Sequence, residues 1–257
     1  MEEILVSRSG TGVVTVTLNR PQVKNAVSGP MWEELRRVFQ EVTQCDDDRV
    51  LVITGAGGAF CAGAHLAANM GTHHHPLNDM HPVSAAAQAL HDVSKPTIAK
   101  VGGIAAGAGM NLALGCDLIV AGESARFSQI FSRRGLCVDF GGTWLLPRLV
   151  GLHKAKELSF FGDILSAAEA ERIGVVNRVV PDSVLDGFVS GWAERLAAGP
   201  PLALQMTKRM LNSAFSLSLS EALHWEAAAQ SVNFGSEDTR EGIAAFGEKR
   251  APVFRGR

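Results

Sequence analysis

Apolar positions in the first part of the chain fall in short runs that are bounded by turn residues. Ile4 to Arg8 and Val13 to Leu18 are two such runs, and Gly10-Thr11-Gly12 lies between them. This arrangement is typical of a β-hairpin. Other short apolar runs predict buried strands, at Arg49 to Thr54, Ile98 to Val101 and Leu118 to Ala121.

Apolar residues at helical spacing separate these predicted strands. Pro30 suits the first turn of a helix that continues through Val42. Strands that alternate with helices indicate an α/β core with crossover connections. After about residue 183 only helices are predicted, at Val184 to Leu196, Pro201 to Ser213, Ser220 to Val232 and Asp238 to Phe246. We therefore divide the chain into a core, residues 1–183, and a C-terminal helical region, residues 184–257.

The least regular stretch is Ala68 to Pro82, which we interpret as a surface loop or flexible flap. It contains His73, His74 and His75. Consecutive side chains do not readily converge on one ion, and no cysteine or acidic residue at suitable spacing completes a ligand set. We therefore predict no metal site.

Composition narrows the function classes. The chain has 257 residues and is 46% hydrophobic. Its formal net charge of -2 does not provide the positive potential that nucleic-acid binding needs. No run of about 18 apolar residues is present, so no membrane span is expected. The acidic start lacks the regions of a signal peptide, and we expect a cytoplasmic protein. The four cysteines are scattered, and most are expected to be reduced and packed in the interior.

Candidate chemistry concentrates between Lys95 and Arg148. An apolar strand there runs into the Gly/Ala-rich turn Gly102 to Gly109, and this turn opens an apolar helix. Small residues let a ligand approach the backbone, and free N–H groups at a helix start can stabilise a developing oxyanion. The dinucleotide fingerprint fails because Leu112 stands where its third glycine would fall. No G-x-S-x-G motif occurs, which argues against an α/β-hydrolase.

Several motifs, in order and spacing along essentially the whole chain, resemble the crotonase family, the enoyl-CoA hydratase/isomerase superfamily. They are Leu18 to Pro21, Gly58 to Leu66, Lys95 to Asn111, Cys116 to Leu118, Gly141 to Arg148, Ala167 to Asn177 and Phe246 to Arg250. The resemblance implies an α/β fold that is a spiral of ββα units with a C-terminal helical trimerisation region. It also implies a homotrimer or a dimer of trimers.

The resemblance further implies an acyl-CoA thioester as substrate, with no other cofactor. By motif position, the backbone N–H groups of Ala64 and Ala108 would polarise the thioester carbonyl. The CoA moiety would lie against segments that include Lys24 and Ala26, and Ala62 and Leu66. Phe246 and Lys249 belong to the motif that matches the family's phosphate-binding C-terminal helix, and Lys249 would reach a phosphate, in a neighbouring subunit.

The acidic residues of the family's hydratases are missing. Asn111 stands where a hydratase has its first glutamate, and Phe131 stands where the second would be. By these motif positions, the resemblance implies that Asn111, Phe131 and His65 line the substrate. Water addition needs two acid–base groups, so direct hydration is disfavoured. Asn111 either donates a hydrogen bond to the substrate or satisfies a neighbouring backbone group. His65 occupies a position where many members have aspartate, and it either shapes the CoA pocket or is a neutral replacement.

Asp139 supplies an alternative acid. The run Arg134 to Thr143 resembles the branch that includes the ring-opening isomerases of phenylacetate breakdown, in which an aspartate here faces the acyl chain. One carboxylate suffices for a 1,3-proton shift through an enolate, so we favour an isomerase with Asp139 as its catalytic residue. The alternatives are an enoyl-CoA hydratase of fatty-acid β-oxidation and a non-catalytic acyl-CoA-binding homologue. In a purely structural role, Asp139 would cap the helix that follows.

Overall fold

A computed structural model describes residues 2–65 and 76–257 of the chain. Its main sheet has six strands, which are β1 (Ile4–Arg8), β2 (Val13–Leu18), β3 (Val50–Gly55), β4 (Thr97–Val101), β6 (Leu118–Gly122) and β9 (Arg178–Val180). They lie side by side in the order β1-β2-β3-β4-β6-β9. The first two strands form the predicted antiparallel hairpin, and every other neighbouring pair in this sheet is parallel.

A second, smaller sheet alternates with the first along the chain. Its strands are β5 (Ile104–Ala106), β7 (Arg126–Ser128) and β8 (Leu165–Ser166), in the order β5-β7-β8. Strand β4 of the main sheet leads into β5 of the second, and β6 leads into β7 in the same way. This repeated step from one sheet to the other, with the helices that follow, confirms the spiral of ββα units that the resemblance implies.

Helices follow these strand pairs and cover the sheets. The helices of the core are α1 (Gly29–Gln44), α2 (Pro76–His91), α3 (Ala108–Leu114), α4 (Gly142–Val150), α5 (Leu152–Phe161) and α6 (Ala167–Arg172). The predicted apolar stripe of α1 is buried, with Leu35 and Phe39 fully inaccessible. A short 3₁₀ turn, Ile130–Arg134, joins β7 to the segment that carries Asp139.

The predicted loop from Ala68 to Pro82 is wrong in its last part, because α2 begins at Pro76. Pro82 lies inside this helix. The helix forms because its later turns bury Val83, Ala86 and Leu90 in the core, so packing outweighs the poor local propensity. The rest of the predicted loop, including His73 to His75, lies outside the described residues.

The helices after residue 183 match their predicted ranges closely. They are α7 (Leu185–Ala197), α8 (Pro201–Ser213), α9 (Leu219–Gly235) and α10 (Glu237–Glu248). Helix α7 packs on the main sheet, where Leu185 and Val189 join a core cluster with Val50 and Ile98. The division at residue 183 stays a prediction, and the first helix after it is part of the sheet's cover.

Helices α8 and α9 leave much apolar surface uncovered. Lys208 ties α8 to the core through an ion pair with Asp117 at 2.8 Å and a bond to the Lys95 carbonyl at 2.9 Å. Helix α9 buries none of its residues within the chain. Phe215, Leu219 and Phe234 are 73%, 77% and 68% exposed. Apolar surface of this extent is typical of a face that another subunit covers.

Within the part of the chain that the structure describes, no helix combines the length and the apolar character needed to cross a membrane.

Candidate active site

Two turns of small residues lie side by side at the centre of the molecule. One follows β3 and contains Cys61 to His65, and the other joins β5 to α3. The Cys61 N–H donates to the Ile104 carbonyl at 3.0 Å, and the Ala106 N–H donates to the Cys61 carbonyl at 2.9 Å. These bonds hold the turn before Ala64 against the turn before Ala108.

Glycines make this close approach possible. Gly63 has a φ of 100°, which favours glycine, and a Cβ there would lie 2.9 Å from the Ala106 carbonyl oxygen. The same Cβ would be 3.6 Å from the Ala108 nitrogen. A Cβ on Gly109 would come within 2.2 Å of the Cys61 carbonyl oxygen. The two backbone segments therefore touch directly, as a two-donor site requires.

The backbone N–H groups of Ala64 and Ala108 have no acceptor among the described residues. The adjacent backbone N–H groups are already hydrogen-bonded: His65 N donates to the Val27 carbonyl and Gly107 N donates to the Ser128 carbonyl, both at 2.9 Å. Ala108 is the first residue of α3, so its N–H has no carbonyl within its own helix. Both predicted donors are thus available to a ligand oxygen.

Asp139 is partly buried, and its Oδ1 is inaccessible to solvent without a hydrogen-bond partner in the described parts of the chain. Burial raises the pKa of this carboxyl to about 6, because desolvation disfavours the charged form. A carboxyl with this pKa can accept and return a proton near neutral pH.

Neighbouring cations do not neutralise Asp139. Arg133 donates to the Phe161 carbonyl at 3.0 Å and pairs with Asp163, while Arg134 donates to the Arg133 carbonyl at 3.4 Å. The capping alternative is not observed either. Helix α4 has Gly141 at its N-cap without a side-chain hydrogen bond, and the Asp139 contact to this helix uses the backbone carbonyl.

The backbone after Asp139 adopts an uncommon conformation. Phe140 has a φ of 47° and Gly141 a φ of 74°. Positive φ is unfavourable for a bulky residue and costs on the order of 1–3 kcal/mol. The Phe140 ring is buried against Trp32, with ring centroids 5.1 Å apart, and this packing helps to hold the turn.

Asn111 contacts this turn from α3. Its side chain is fully buried, and its Nδ2 donates to the Asp139 carbonyl at 2.8 Å. Its Oδ1 accepts from Gln129 Nε2 at 2.7 Å. Of the two roles that the sequence left open, the structure shows the second, a bond to a backbone group. That Asn111 lines the substrate stays a prediction.

Phe131 is buried beside the second small-residue turn. A Cβ on Gly107 would lie 3.6 Å from the Phe131 Cζ, so the ring borders the backbone that leads to Ala108. An apolar ring therefore lies beside the turn that carries the donor. Its predicted contact with substrate stays a prediction.

The segments predicted to hold CoA are adjacent. Ala62 N donates to the Lys24 carbonyl at 2.9 Å, and Val27 N donates to the Gly63 carbonyl at 2.8 Å. Lys24 is exposed, and Ala26 is buried. Leu66, the last residue predicted for this surface, lies outside the described residues.

Sequence reasoning did not identify Arg20 and Gln129 as parts of the site. The largely buried Arg20 guanidinium donates to the Ala26 carbonyl at 2.9 Å and lies 3.5 Å from His65 Nδ1. Gln129 is buried and bonded to Asn111. Arg20 stands in the Leu18 to Pro21 motif, which served only as a landmark of the resemblance. Gln129 lies in the largely apolar run Phe127 to Phe131, and its polar character there was the available signal.

Phe246 lies in the last helix, α10, and Lys249 follows its final residue. Phe246 is 88% exposed, and Lys249 is an exposed residue at the end of α10 with a φ of 55°. Among the described residues, no hydrogen bond or ion pair links either of them to Ala64 or Ala108. Their predicted contact with CoA of a neighbouring subunit stays a prediction.

The cysteines differ in their environments. Cys61 and Cys116 are buried as expected, and burial raises the pKa of the Cys61 thiol to about 12. Cys137 is an exception to the packing expected of most cysteines, because this residue is exposed in the chain. It lies in the irregular segment after Gly135, which contributes no buried apolar side chain before Phe140. Within residues 2–65 and 76–257, no cluster of three His, Cys, Asp or Glu residues could hold a metal.

Comparison with known proteins identifies the family of the chain. Residues 8–257 match the family described as enoyl-CoA hydratase/isomerase. The 1,2-epoxyphenylacetyl-CoA isomerase of Escherichia coli K12 is 38% identical over 262 residues, covering all of both chains. The 2,3-dehydroadipyl-CoA hydratase of the same organism is 36% identical over 265 residues, again covering all of both.

The same relationship holds at the level of structure. A crystal structure of an enoyl-CoA hydratase from Bacillus anthracis superposes with a TM-score of 0.95 at 33% identity, covering all of both chains. This chain has the crotonase fold and belongs to the enoyl-CoA hydratase/isomerase family.

Proposed function

We propose that this protein is an acyl-CoA isomerase that moves a double bond or a proton through a thioester enolate, with Asp139 as the proton carrier. The observation that carries the proposal is the Asp139 carboxyl, which is partly buried and unpaired within the described residues. It belongs to a turn that Asn111 holds against α3, the helix that begins at Ala108.

The thioester carbonyl oxygen would accept hydrogen bonds from the Ala64 and Ala108 N–H groups. Negative charge that develops on this oxygen is stabilised by two donors that need no reorganisation. The ionised Asp139 carboxylate then removes a proton from the carbon α or γ to the carbonyl. The C–H electron pair becomes part of the enolate, and Asp139 returns the proton to the other carbon as the double bond shifts.

Hydration is disfavoured by the groups beside the donors. An amide does not act as an acid or base at neutral pH, and both ends of the Asn111 amide are already engaged. Phe131 offers only an apolar ring. The carboxyl pair that would activate water and protonate the α-carbon is therefore missing at these positions. The names of the relatives include both an isomerase and a hydratase, so they do not decide between the two reactions.

The substrate we propose is a CoA thioester whose acyl group has a double bond or an aryl-acetyl-type group near the carbonyl. The similarity to a 1,2-epoxyphenylacetyl-CoA isomerase supports the aryl class. The thioester itself supplies the CoA, and we propose no other cofactor and no nucleic-acid partner. The uncovered apolar residues of α8 and α9 support assembly as a homotrimer or a dimer of trimers.

A turnover screen tests this function directly. We expect double-bond migration with cis-3-enoyl-CoA or rearrangement of an aryl-acetyl-type ester, and little water addition to trans-2-enoyl-CoA. Efficient hydration of the trans-2-enoyl ester, with no migration of the cis-3 ester, would favour the hydratase. CoA-ester binding without turnover of any of the three classes would favour the non-catalytic homologue.

The rate of proton exchange should rise with pH through about 6. Only the ionised Asp139 carboxylate can accept a proton, and burial raises its pKa to about 6. Exchange is therefore expected to be slow near pH 4.5, to reach half its maximum near pH 6 and to level off above pH 7. Deuterium incorporation from deuterated buffer into 3-hexenoyl-CoA measures this profile. A rate that stays constant between pH 4.5 and pH 8 would show that another group carries the proton.

Lys249→Ala is expected to weaken CoA binding by about fivefold at low salt. This factor corresponds to the roughly 1 kcal/mol that an exposed charge contact contributes. The loss should shrink as salt increases, because screening weakens the contact in the wild type. Calorimetric titration of CoA at low and high salt measures it. Lys156→Ala, which changes an exposed lysine of α5, is the matched control. Equal affinities for wild type and Lys249→Ala at every salt concentration contradict the assignment.

A further inference from the structure

Asn111 and Gln129 form a buried chain of hydrogen bonds that ends on the turn carrying Asp139. Gln129 Nε2 donates to Asn111 Oδ1 at 2.7 Å, and Asn111 Nδ2 donates to the Asp139 carbonyl at 2.8 Å. Asn111 is 0% exposed and Gln129 is 1% exposed. Hydrogen bonds in such surroundings are costly to break because water does not replace the lost partner.

The two hydrogen bonds define which atom of each amide donates and which accepts. Because Asn111 Oδ1 is held by Gln129, its Nδ2 faces the Asp139 carbonyl. A carboxylate at position 111 would instead place an oxygen against that carbonyl oxygen and lose the donor. The glutamate that the resemblance places here in hydratases cannot make this contact when ionised. Asn111 therefore has two consequences: it takes the place of the hydratase glutamate, and it holds the backbone of Asp139, the alternative acid.

The turn that receives this bond needs external support. Phe140 has a φ of 47°, and such a conformation persists where the surroundings hold it. Three contacts do so here, from the Asn111 amide, from the Gly142 N–H to the Asp139 carbonyl at 2.9 Å, and from Trp32 to the Phe140 ring. Gly142 has no room for a side chain, since a Cβ would lie 2.3 Å from Asn111 Nδ2. The amide and the turn are thus packed in direct contact.

We infer that Asn111, oriented by Gln129, is a positioning residue that fixes where the Asp139 carboxyl stands. The inference rests on the proposed proton shuttle. The carbonyl that Asn111 holds belongs to the same residue as the reacting carboxyl, so a shift of this backbone group moves the carboxyl with it. Misplacement of a catalytic group by about 1 Å can cost about 100-fold in rate.

The test is a double-mutant cycle read by deuterium exchange of 3-hexenoyl-CoA. Asn111→Leu, which has a similar size and no donor, should lower kcat about 10- to 100-fold with KM changed by less than about threefold. In an Asp139→Asn background the same change should cause no further loss, because the group that it positions is gone. Gln129→Met removes only the donor to Asn111 and should cause a smaller loss of the same kind.

Thr97→Val is the matched control. It also removes a fully buried polar group with two hydrogen bonds, at 2.9 Å to Asp117 Oδ2 and at 2.8 Å from Asp117 N, and neither bond involves a residue of the site. It should lower thermal stability to a similar degree and leave kcat unchanged. An equal loss of kcat in Thr97→Val would mean that Asn111 acts only through general stability.

A second measurement does not depend on turnover. The ¹³C signal of the Asp139 carboxyl, assigned by its absence in Asp139→Asn, should titrate with a pKa that is lower in Asn111→Leu than in the wild type. An unchanged titration together with wild-type kcat in folded Asn111→Leu and Gln129→Met would overturn the inference. So would equal losses in the wild-type and Asp139→Asn backgrounds. If Asp139→Asn itself exchanges like the wild type, the proposed shuttle fails, and the inference fails with it.

Discussion

Asp139→Asn is expected to lower the rate of double-bond migration about 1,000-fold, which lies within the range for loss of a general acid–base group. The amide cannot accept the α- or γ-proton at neutral pH. Affinity for the CoA ester should change little, because the predicted CoA contacts lie on other segments. The measurement is migration and deuterium exchange of 3-hexenoyl-CoA, with ester affinity determined in parallel.

The same substitution should stabilise the folded protein. Folding raises the pKa of the Asp139 carboxyl from 3.8 to about 6, so ionisation at neutral pH opposes folding. The favourable contribution of the neutral carboxyl is complete below pH 3.8 and is lost as pH rises through about 6. For a partly buried group, removing the charge is worth on the order of 1–2 kcal/mol at pH 7.

Asp139→Asn should therefore lose turnover while it gains stability. This combination would rule out misfolding as the cause of the lost activity. A variant that is inactive because it misfolds would be less stable than the wild type, whereas Asp139→Asn should melt at a higher temperature at pH 7 and show little gain near pH 4. Asp163→Asn, which alters an exposed carboxylate paired with Arg133, is the control and should keep its turnover. Migration that survives in Asp139→Asn would point to another acid.

The features that the sequence predicted correctly are those that local pattern determines. The hairpin of Ile4–Arg8 with Val13–Leu18 follows from two apolar runs and a glycine turn, and the helix Pro201–Ser213 follows from apolar residues at helical spacing. The turns around Ala64 and Ala108 were identified from the motifs that carry the resemblance. The structure gives a physical reason for the glycines in those motifs, because a Cβ on Gly63 or Gly109 would meet the backbone of the other turn.

The features that escaped prediction depend on contacts between distant parts of the chain. Pro76 and Pro82 suggested a loop, but burial of Val83 and Leu90 in the core makes the segment helical. The bond between Asn111 and Asp139 joins residues 28 positions apart and has no periodic signal. Sequence showed that Asn111 is not an acid, and only the structure showed what its amide holds.

Ala108→Pro is expected to lower kcat about 100- to 1,000-fold, the effect of removing one oxyanion donor. Proline lacks the N–H and is tolerated at the first position of a helix, which Ala108 occupies. Gly107, with φ 55° and ψ -129°, lies near the mirror image of the extended conformation that residues before proline prefer. The backbone should therefore accept the change, and the loss should be chemical.

A pyrrolidine ring also occupies space, so the experiment must separate loss of the donor from steric blocking. A CoA thioether without the carbonyl serves this purpose, since it fills the same site but accepts no hydrogen bond from Ala108. The affinity of this thioether should be similar in Ala108→Pro and wild type, while turnover of 3-hexenoyl-CoA falls. Ala108→Gly keeps the N–H and should retain turnover. Leu152→Pro tests proline after glycine at the exposed first position of helix α5. Near wild-type turnover in a folded Ala108→Pro would show that the Ala108 N–H does not stabilise the enolate. Loss of thioether affinity together with turnover would show that the proline ring merely blocks the site.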